Sequence, residues 1–423
     1  MRKVNIAILG LGTVGSGVYK VIEAEHEAIM HKEGLDLAVK KVLALQYSIP
    51  IPEELKASDI EEVVSDPEID VVVEVMGGIE PAKTFITKAL SHSKTVVTAN
   101  KELLARHWPD LEKVAKENGA GLYFEASVGG GIPILRTVWD SLQANTIKSI
   151  FGIINGTTNY ILTKMTDEGR DFDEVLKQAQ ELGYAEANPT NDIEAYDTMY
   201  KLSILASMAF HARIPVDYIY REGITKISKL DIQYGKALGY EVKLLAIGKK
   251  EGETVQVRVH PTMIPKTHPL ANVKDSFNAI FLDGSQVGEV MFYGKGAGDL
   301  PTASAIVSDI IYSCQVAKHK YATFSNTTEI SPTLIFENNW ETEFFIRLNV
   351  KDEPGVMAKI ATVFGKYGVS IKSILQPGEE EQDGVPLMIV THKAREISVK
   401  KAIDEIKYIK EIIDVANMIR VER

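Results

Sequence analysis

The sequence predicts an α/β protein in three parts: an N-terminal doubly wound parallel sheet, a central mixed α/β part, and a C-terminal ferredoxin-like βαββαβ unit. Three observations carry this. From Val4 to about Ala126, short β-branched runs alternate with stretches of helical period, the pattern of parallel strands joined by right-handed crossovers. A glycine-rich loop follows the first of those strands. The tail from Glu343 reads strand, helix, strand, strand, helix, strand, which is the ferredoxin-like order.

In the first part the pattern predicts strands at 4–9, 39–45, 71–75, 95–98 and 121–125, with helices at 13–30, 59–64, 81–91 and 103–118 between them. The character changes after Gly129. Strands are predicted at 149–154, 241–249, 254–262, 276–283 and 288–293, interleaved with helices at 171–182, 195–211 and 302–317. Ser, Asn, Thr and Pro mixed with isolated apolar residues mark 321–342 as a linker. The tail predicts strands at 344–350, 370–375, 387–392 and 412–421 and helices at 356–367 and 397–409. The expected division is 1–130, 131–320 (helix 302–317 packing back on the first part), the linker 321–342, and 343–423.

Composition narrows the function classes. At about 150 residues per domain, 423 residues imply three domains. A single cysteine, Cys314, excludes an intrachain disulfide and thiolate zinc sites. Lys and Arg total 47 against 58 Asp and Glu, a net charge of −11, which repels phosphate backbones and leaves nucleic acid an unexpected partner. No apolar run reaches the ~20 residues a membrane span needs. Met1-Arg2-Lys3 before an apolar stretch imitates a leader, but Asn5 and the glycines interrupt it. The expectation is a soluble, cytoplasmic protein.

Gly10-Leu11-Gly12-Thr13-Val14-Gly15 directly follows a strand and opens a helix. In that context the spacing points to a dinucleotide. The first glycine permits the turn, the second lets backbone approach the pyrophosphate, and the third lets helix and strand pack closely. Amides at the helix N-terminus meet the phosphate charge. Where a ribose-binding acid should end the second strand stand Gln46, Tyr47 and Ser48, so NAD and NADP both remain open.

Asp197 and Lys201 are four apart and share a helix face. The helix continues Leu202-Ser203-Ile204-Leu205-Ala206, apolar on nearly every side, which predicts burial of the pair. Buried charges need a reason, and a lysine tuned by a carboxylate can exchange the proton that leaves an alcohol as hydride leaves its carbon. Glu186 and Asp192 are carboxylates suited to a substrate ammonium.

At these residues the sequence resembles homoserine dehydrogenase over nearly its whole length. The matching stretches are Thr98-Ala99-Asn100-Lys101, Glu125-Ala126-Ser127-Val128-Gly129-Gly130-Gly131-Ile132-Pro133, Asn155-Gly156-Thr157-Thr158-Asn159-Tyr160, Gly183-Tyr184-Ala185-Glu186 and Gly296-Ala297-Gly298 with Pro301-Thr302-Ala303. The resemblance implies NAD(P)-linked interconversion of L-homoserine and L-aspartate 4-semialdehyde on the threonine, methionine and isoleucine route. It implies Lys201 as proton donor and acceptor and Lys101 as a second lysine near the reacting oxygen. Asp197, Glu186 and Asp192 would hold lysine and substrate, while Thr157, Tyr184 and Gly183 line the substrate or nicotinamide side. Gly298 would join Gly10, Gly12, Thr13, Val14 and Gly15 on the cofactor.

It further implies a structural monovalent cation, Na+ or K+, near Glu125 and the carbonyls of Val128, Gly130 and Ile132, and a homodimer or homotetramer. The first part then reads as a Rossmann domain and the second as a substrate and dimerisation domain. From Asp352-Glu353-Pro354-Gly355 onward the tail resembles an ACT domain, which implies feedback inhibition by threonine through Asp352 and Gly355. Two rival readings are a nicotinamide oxidoreductase acting on another amino alcohol and a catalytically silent amino-acid or redox sensor. The set Lys101, Glu186, Asp192, Asp197 and Lys201 favours the enzyme. His260 and His268 read as residues of two separate turns, Cys314 as a small hydrophobe within its helix, and Glu379 to Asp383 as a solvated hairpin loop.

Overall fold

A computed structural model describes residues 1–322, 334–376 and 384–423. The elements begin β1 (Arg2–Leu11), α1 (Thr13–Glu33), β2 (Leu35–Tyr47), α2 (Ile60–Val64), β3 (Val71–Glu74), α3 (Ala82–Ser91), β4 (Thr95–Thr98), α4 (Lys101–Glu117) and β5 (Leu122–Tyr123). They continue with β6 (Ile147–Ile153), α5 (Gly156–Glu168), α6 (Phe172–Glu181), α7 (Thr190–Ile193), α8 (Tyr196–Phe210), β7 (Tyr220–Arg221), α9 (Lys229–Ala237), β8 (Tyr240–Glu251) and β9 (Thr254–Pro265). After these come β10 (Phe277–Gly284), β11 (Gly288–Lys295) and α10 (Asp299–Gln315). The tail holds β12 (Ile335–Phe336), β13 (Glu341–Val350), α11 (Val356–Lys366), β14 (Ile371–Leu375), β15 (Val385–Thr391), β16 (Ala394–Arg395), α12 (Glu396–Ile406) and β17 (Ile412–Val421). Among the described residues no helix is long and apolar enough to cross a membrane.

The chain forms two compact units. One comprises Met1–Gly156, Asp197–Ile219 and Phe277–Leu334; the other comprises Thr157–Tyr196, Tyr220–Ser276 and Ile335–Arg423.

In the first unit five parallel strands run in the order β2-β1-β3-β4-β5. Val71, Val72 and Val73 of β3 and Val96 and Val97 of β4 are buried in succession, as expected where helices cover both faces of a sheet. Helix α10 joins the same core through Ala303, Ile306 and Ile310, beside Val18 and Ile22 of α1. Gly17 makes that approach possible, since a Cβ there would lie 2.6 Å from the Asp299 carbonyl oxygen. The unit also holds the antiparallel strands β6, β10 and β11.

In the second unit β8 and β9 form a long hairpin. The order β17-β13-β15-β14 is the ferredoxin-like sheet, covered by α11 and α12 through Ile360, Phe364, Val399 and Ile403. This sheet is not separate from the hairpin: β17 pairs in parallel with β9, Arg420 opposite Thr262 and Val421 opposite Met263. Ion pairs seal the joint, with Arg420 on Glu222 at 2.5 Å and Arg347 on Asp231 at 2.7 Å.

Two expectations need correction. His260 lies in the interior of β9, fully buried, because strand pairing continues through Pro261 opposite Leu244. Only His268 caps a turn, accepting from the Leu270 amide. The fifth strand ends at Tyr123, and Glu125 opens a tight turn, its carboxylate taken up by backbone amides ten and eleven residues on. The expected loop 379–383 lies outside the described residues, as do 323–333 of the expected linker.

Candidate active site

The glycine loop sits at the carboxyl end of β1. Gly10 has φ +98°, and a Cβ there would meet the Val75 carbonyl oxygen at 3.0 Å. A Cβ on Gly15 would stand 2.0 Å from the Gly10 carbonyl oxygen, whereas at Gly12 nothing lies within 4 Å. Two glycines are thus demanded by packing, and the third leaves an open approach. Gly12 is also the N-cap of α1 and supplies no side-chain acceptor, so the amides of Thr13 and Val14 start the helix with nothing from the cap to receive them. That is a cradle for a pyrophosphate.

Lys101, Asp197 and Lys201 come together in the first unit. Asn100 caps α4 by accepting from the Leu103 amide, which puts Lys101 on the helix's first position. Asp197 and Lys201 stand one turn apart in α8, both buried. The Lys201 ammonium donates to Asp197 Oδ2 at 2.7 Å and to the Ile154 carbonyl at 2.9 Å. Lys101 Nζ lies 3.0 Å from Asp197 Oδ1, and Asn155 Nδ2 donates to Oδ2 at 2.9 Å. Burial by itself would push the Asp197 carboxyl up. The charges of Lys101 and Lys201, with hydrogen bonds from Lys201 and Asn155, override it and hold the carboxyl well below the usual carboxylate range. One carboxylate therefore orients two lysines, one half-exposed and one buried.

Thr157, Gly183, Tyr184, Glu186 and Asp192 belong to the second unit. Thr157, in the first turn of α5, donates its hydroxyl to the Tyr184 carbonyl at 2.6 Å. Tyr160 and Tyr184 pack with ring centroids 4.8 Å apart. Gly183 turns the chain at the end of α6 with φ +77°. Glu186 is exposed, and Asp192 lies half-buried in α7.

Glu125 belongs to a different kind of cluster, again in the first unit. Its two oxygens accept from the amides of Leu135 (2.9 Å) and Arg136 (2.6 Å), and its own amide donates to Asp309 at 2.8 Å. Arg136 pairs with Asp309. Burial and the Asp309 charge push Glu125 up to about 7, and burial pushes Asp309 up to about 6. Val128, Gly130 and Ile132 follow on the same turn. Gly130 has φ +55°, and a Cβ there would reach the Gly296 carbonyl oxygen at 2.4 Å. No group of three or more His, Cys, Asp or Glu side chains suited to a metal exists among the described residues.

In the tail Asp352 is exposed just before the Pro354-Gly355 turn, and Gly355, φ +94°, precedes α11 as an N-cap without a side-chain acceptor.

Three residues near these sites carry no signal in the sequence. Glu74 is fully buried at the carboxyl end of β3, accepting from Thr98 Oγ1 at 2.6 Å and the Met76 amide at 2.8 Å; burial raises its pKa despite those bonds. Lys56 folds back over the Tyr47 ring, 5.0 Å from its centroid, with its ammonium paired to Glu53 at 2.6 Å. Asn278 is fully buried against Gly296, with no partner for its side-chain amide among the described residues. Only the folded neighbourhood makes these three stand out.

Comparison with known families places this geometry. The chain matches the model described as homoserine dehydrogenase over residues 133–311, homoserine dehydrogenase NAD binding domain over 10–125, and ACT domain over 344–411. It is 40% identical over 433 residues to a homoserine dehydrogenase of Bacillus subtilis, covering all of this chain and 99% of the relative. It is 40% identical over 435 residues to one of Synechocystis, covering 99% of each. Among solved structures, the homoserine dehydrogenase of Thiobacillus denitrificans superposes with TM-score 0.92 at 36% identity, over 100% of this chain and 99% of that one. A hyperthermophilic archaeal homoserine dehydrogenase in complex with NADPH superposes with TM-score 0.65 at 28% identity, over 75% of this chain and all of that one.

Proposed function

The chain belongs to the homoserine dehydrogenase family of NAD(P)-dependent oxidoreductases, and from that premise we infer that Lys201 exchanges the substrate hydroxyl proton while Asp197 and Lys101 set its charge and direction. The observation that carries this reading is the buried Lys201 ammonium, with one donor on Asp197 and one on the Ile154 carbonyl. An ammonium has three donors, and the third is assigned to the substrate oxygen. Lys101, on the other oxygen of Asp197, adds positive charge where an alkoxide would develop. Glu186 and Asp192 are assigned to the substrate ammonium, with Thr157 and Tyr184 lining the substrate.

The nicotinamide, when bound, takes hydride from the carbinol carbon or returns it to the aldehyde. Gly10, Gly12, Thr13, Val14 and Gly15 would hold its pyrophosphate, with Lys101, Gly183 and Gly298 further along the cofactor. Lys56 beside Tyr47 offers a cation to a ribose 2′-phosphate, which favours NADP.

Glu125 and the carbonyls of Val128, Gly130 and Ile132 suit a monovalent cation. Glu125 is held by backbone amides beside the buried Asp309, whose ion pair is with Arg136, and a hard monovalent ion suits a carboxylate with backbone oxygens. We assign residues 1–130 to the cofactor, 131–320 to substrate and dimerisation, 321–342 to a linker, and 343–423 to threonine feedback through Asp352 and Gly355. The working form is a cytoplasmic homodimer or homotetramer.

The test is absorbance of reduced nicotinamide with homoserine, run with NAD and NADP in parallel and with or without threonine. Homoserine-dependent reduction, stronger with NADP and weakened by threonine, supports the reading. The absence of a signal from folded protein with either cofactor overturns it. In the same assay Asp352→Ala is expected to weaken threonine inhibition while leaving the uninhibited rate in place.

A further inference from the structure

A second buried lysine takes no part in the chemistry above. Lys243, in β8, is 3% exposed. Its ammonium donates to the Val273 carbonyl at 2.5 Å and to Asn159 Oδ1 at 3.2 Å. No carboxylate lies within ion-pair distance of it among the described residues. Burial draws its pKa down to about 8. A fully buried lysine that meets only neutral acceptors is costly, and a methionine would fill the same space without that cost.

The bonds around it show what the ammonium accomplishes. Asn159 Nδ2 donates to the carbonyls of Val273 (3.2 Å) and Asp275 (2.9 Å). Thr163 Oγ1 donates to the Asn159 carbonyl at 2.7 Å and accepts from the Asp275 amide at 3.1 Å. Lys243 is thus the post to which the first turns of α5 and the 273–275 turn are both tied. The post is itself rigid: Lys243 stands opposite Thr262 on β9, and Thr262 stands opposite Arg420 on β17.

We propose that Lys243 is a positioning residue for substrate, fixing through Asn159 the start of α5 and with it the Thr157 hydroxyl. This rests on Thr157 being a substrate contact, the role assigned to it under the proposed function. A side chain tied down in this way is pre-organised, so losing the tie weakens binding of the group it touches.

The test compares Lys243→Met with the wild type in the full chain. The homoserine KM is expected to rise about tenfold, the size of one lost charge-assisted hydrogen bond, while kcat falls far less and the dinucleotide KM stays put. Asn159→Leu, which removes that tie together with the two bonds to the Val273 and Asp275 carbonyls, should raise the homoserine KM at least as much, and adding Lys243→Met to it should add little, because the shared tie is already gone. A purely structural role would instead lower kcat through lost active enzyme and leave both KM values alone, and that result overturns the proposal. Amide exchange gives an independent check: the first turns of α5 should exchange faster in Lys243→Met, and unchanged protection there contradicts the proposal even if the wild type fails to turn over homoserine.

Discussion

Two of the buried carboxylate clusters in the first unit are charged in opposite ways. Asp197 faces two lysines and is held below the usual carboxylate range. Asp309 pairs with the guanidinium of Arg136 while Glu125 is held by the Leu135 and Arg136 amides, and Glu125 and Asp309 are pushed up to about 7 and about 6. Burial is nearly complete in both places, so desolvation does not separate them. The count of opposing charges does. A carboxylate outnumbered by cations is a fixed anion that can steer a lysine. Two carboxylates outnumbering one cation form a place that attracts another cation.

The largest effect expected outside Lys201 itself comes from breaking the first cluster. Asp197→Asn removes the carboxylate that stands between two ammonium groups, and should cost about 3–5 kcal/mol of stability, read from denaturant unfolding at neutral pH. The sign of its pH dependence follows from the lowered pKa. The unfolded chain takes up this proton near pH 4, before the folded chain does, so the Asp197 contribution is complete above that pH and drains away in acid. Wild type and Asp197→Asn should therefore converge in stability as pH falls below about 4, and a constant gap down to acid pH would show that the charge is not the cause.

Arg136→Met breaks the second cluster by removing its one cation. A loss of about 2–3 kcal/mol is expected, and adding Asp309→Asn should restore part of it by removing one of the two repelling charges. If the double variant is worse than the single, Arg136 acts through packing on the Tyr312 ring, 4.5 Å from its guanidinium carbon, and not through charge.

The smallest effect sharpens the contrast. At constant ionic strength, replacing tetramethylammonium by Na+ or K+ should stabilise the protein by on the order of 1 kcal/mol. Glu125→Gln should abolish that response, whereas Lys201→Met should leave it intact.

The two clusters also differ in how far they are legible in the sequence. Asp197 and Lys201 are neighbours on one helix whose apolar continuation announces burial, and the glycine loop announces itself by following a strand. Lys101 meets Asp197 only because α4 and α8 begin side by side in the folded unit, which no local pattern encodes. The partnership of Glu125 with Asp309 and Arg136 is of the same kind, and it is why the strand before Glu125 stops early. Helix α5 escapes the pattern altogether. Its opening Gly156-Thr157-Thr158-Asn159 is a poor helix former, and the ties from Asn159 to Lys243 and the 273–275 turn are tertiary. At His260 the neighbouring proline suggests a turn, whereas β9 carries Pro261 as an interior residue of its hairpin with β8.

The assignment on which the rest depends is that Lys201 moves the proton and Asp197 directs it. Turnover of homoserine and binding of the dinucleotide should be measured side by side for wild type and Lys201→Ala. Turnover is expected to fall by about a thousandfold with dinucleotide affinity nearly unchanged. Turnover within tenfold of wild type would contradict the assignment, and so would parallel loss of turnover and dinucleotide binding, which would make Lys201 a folding residue.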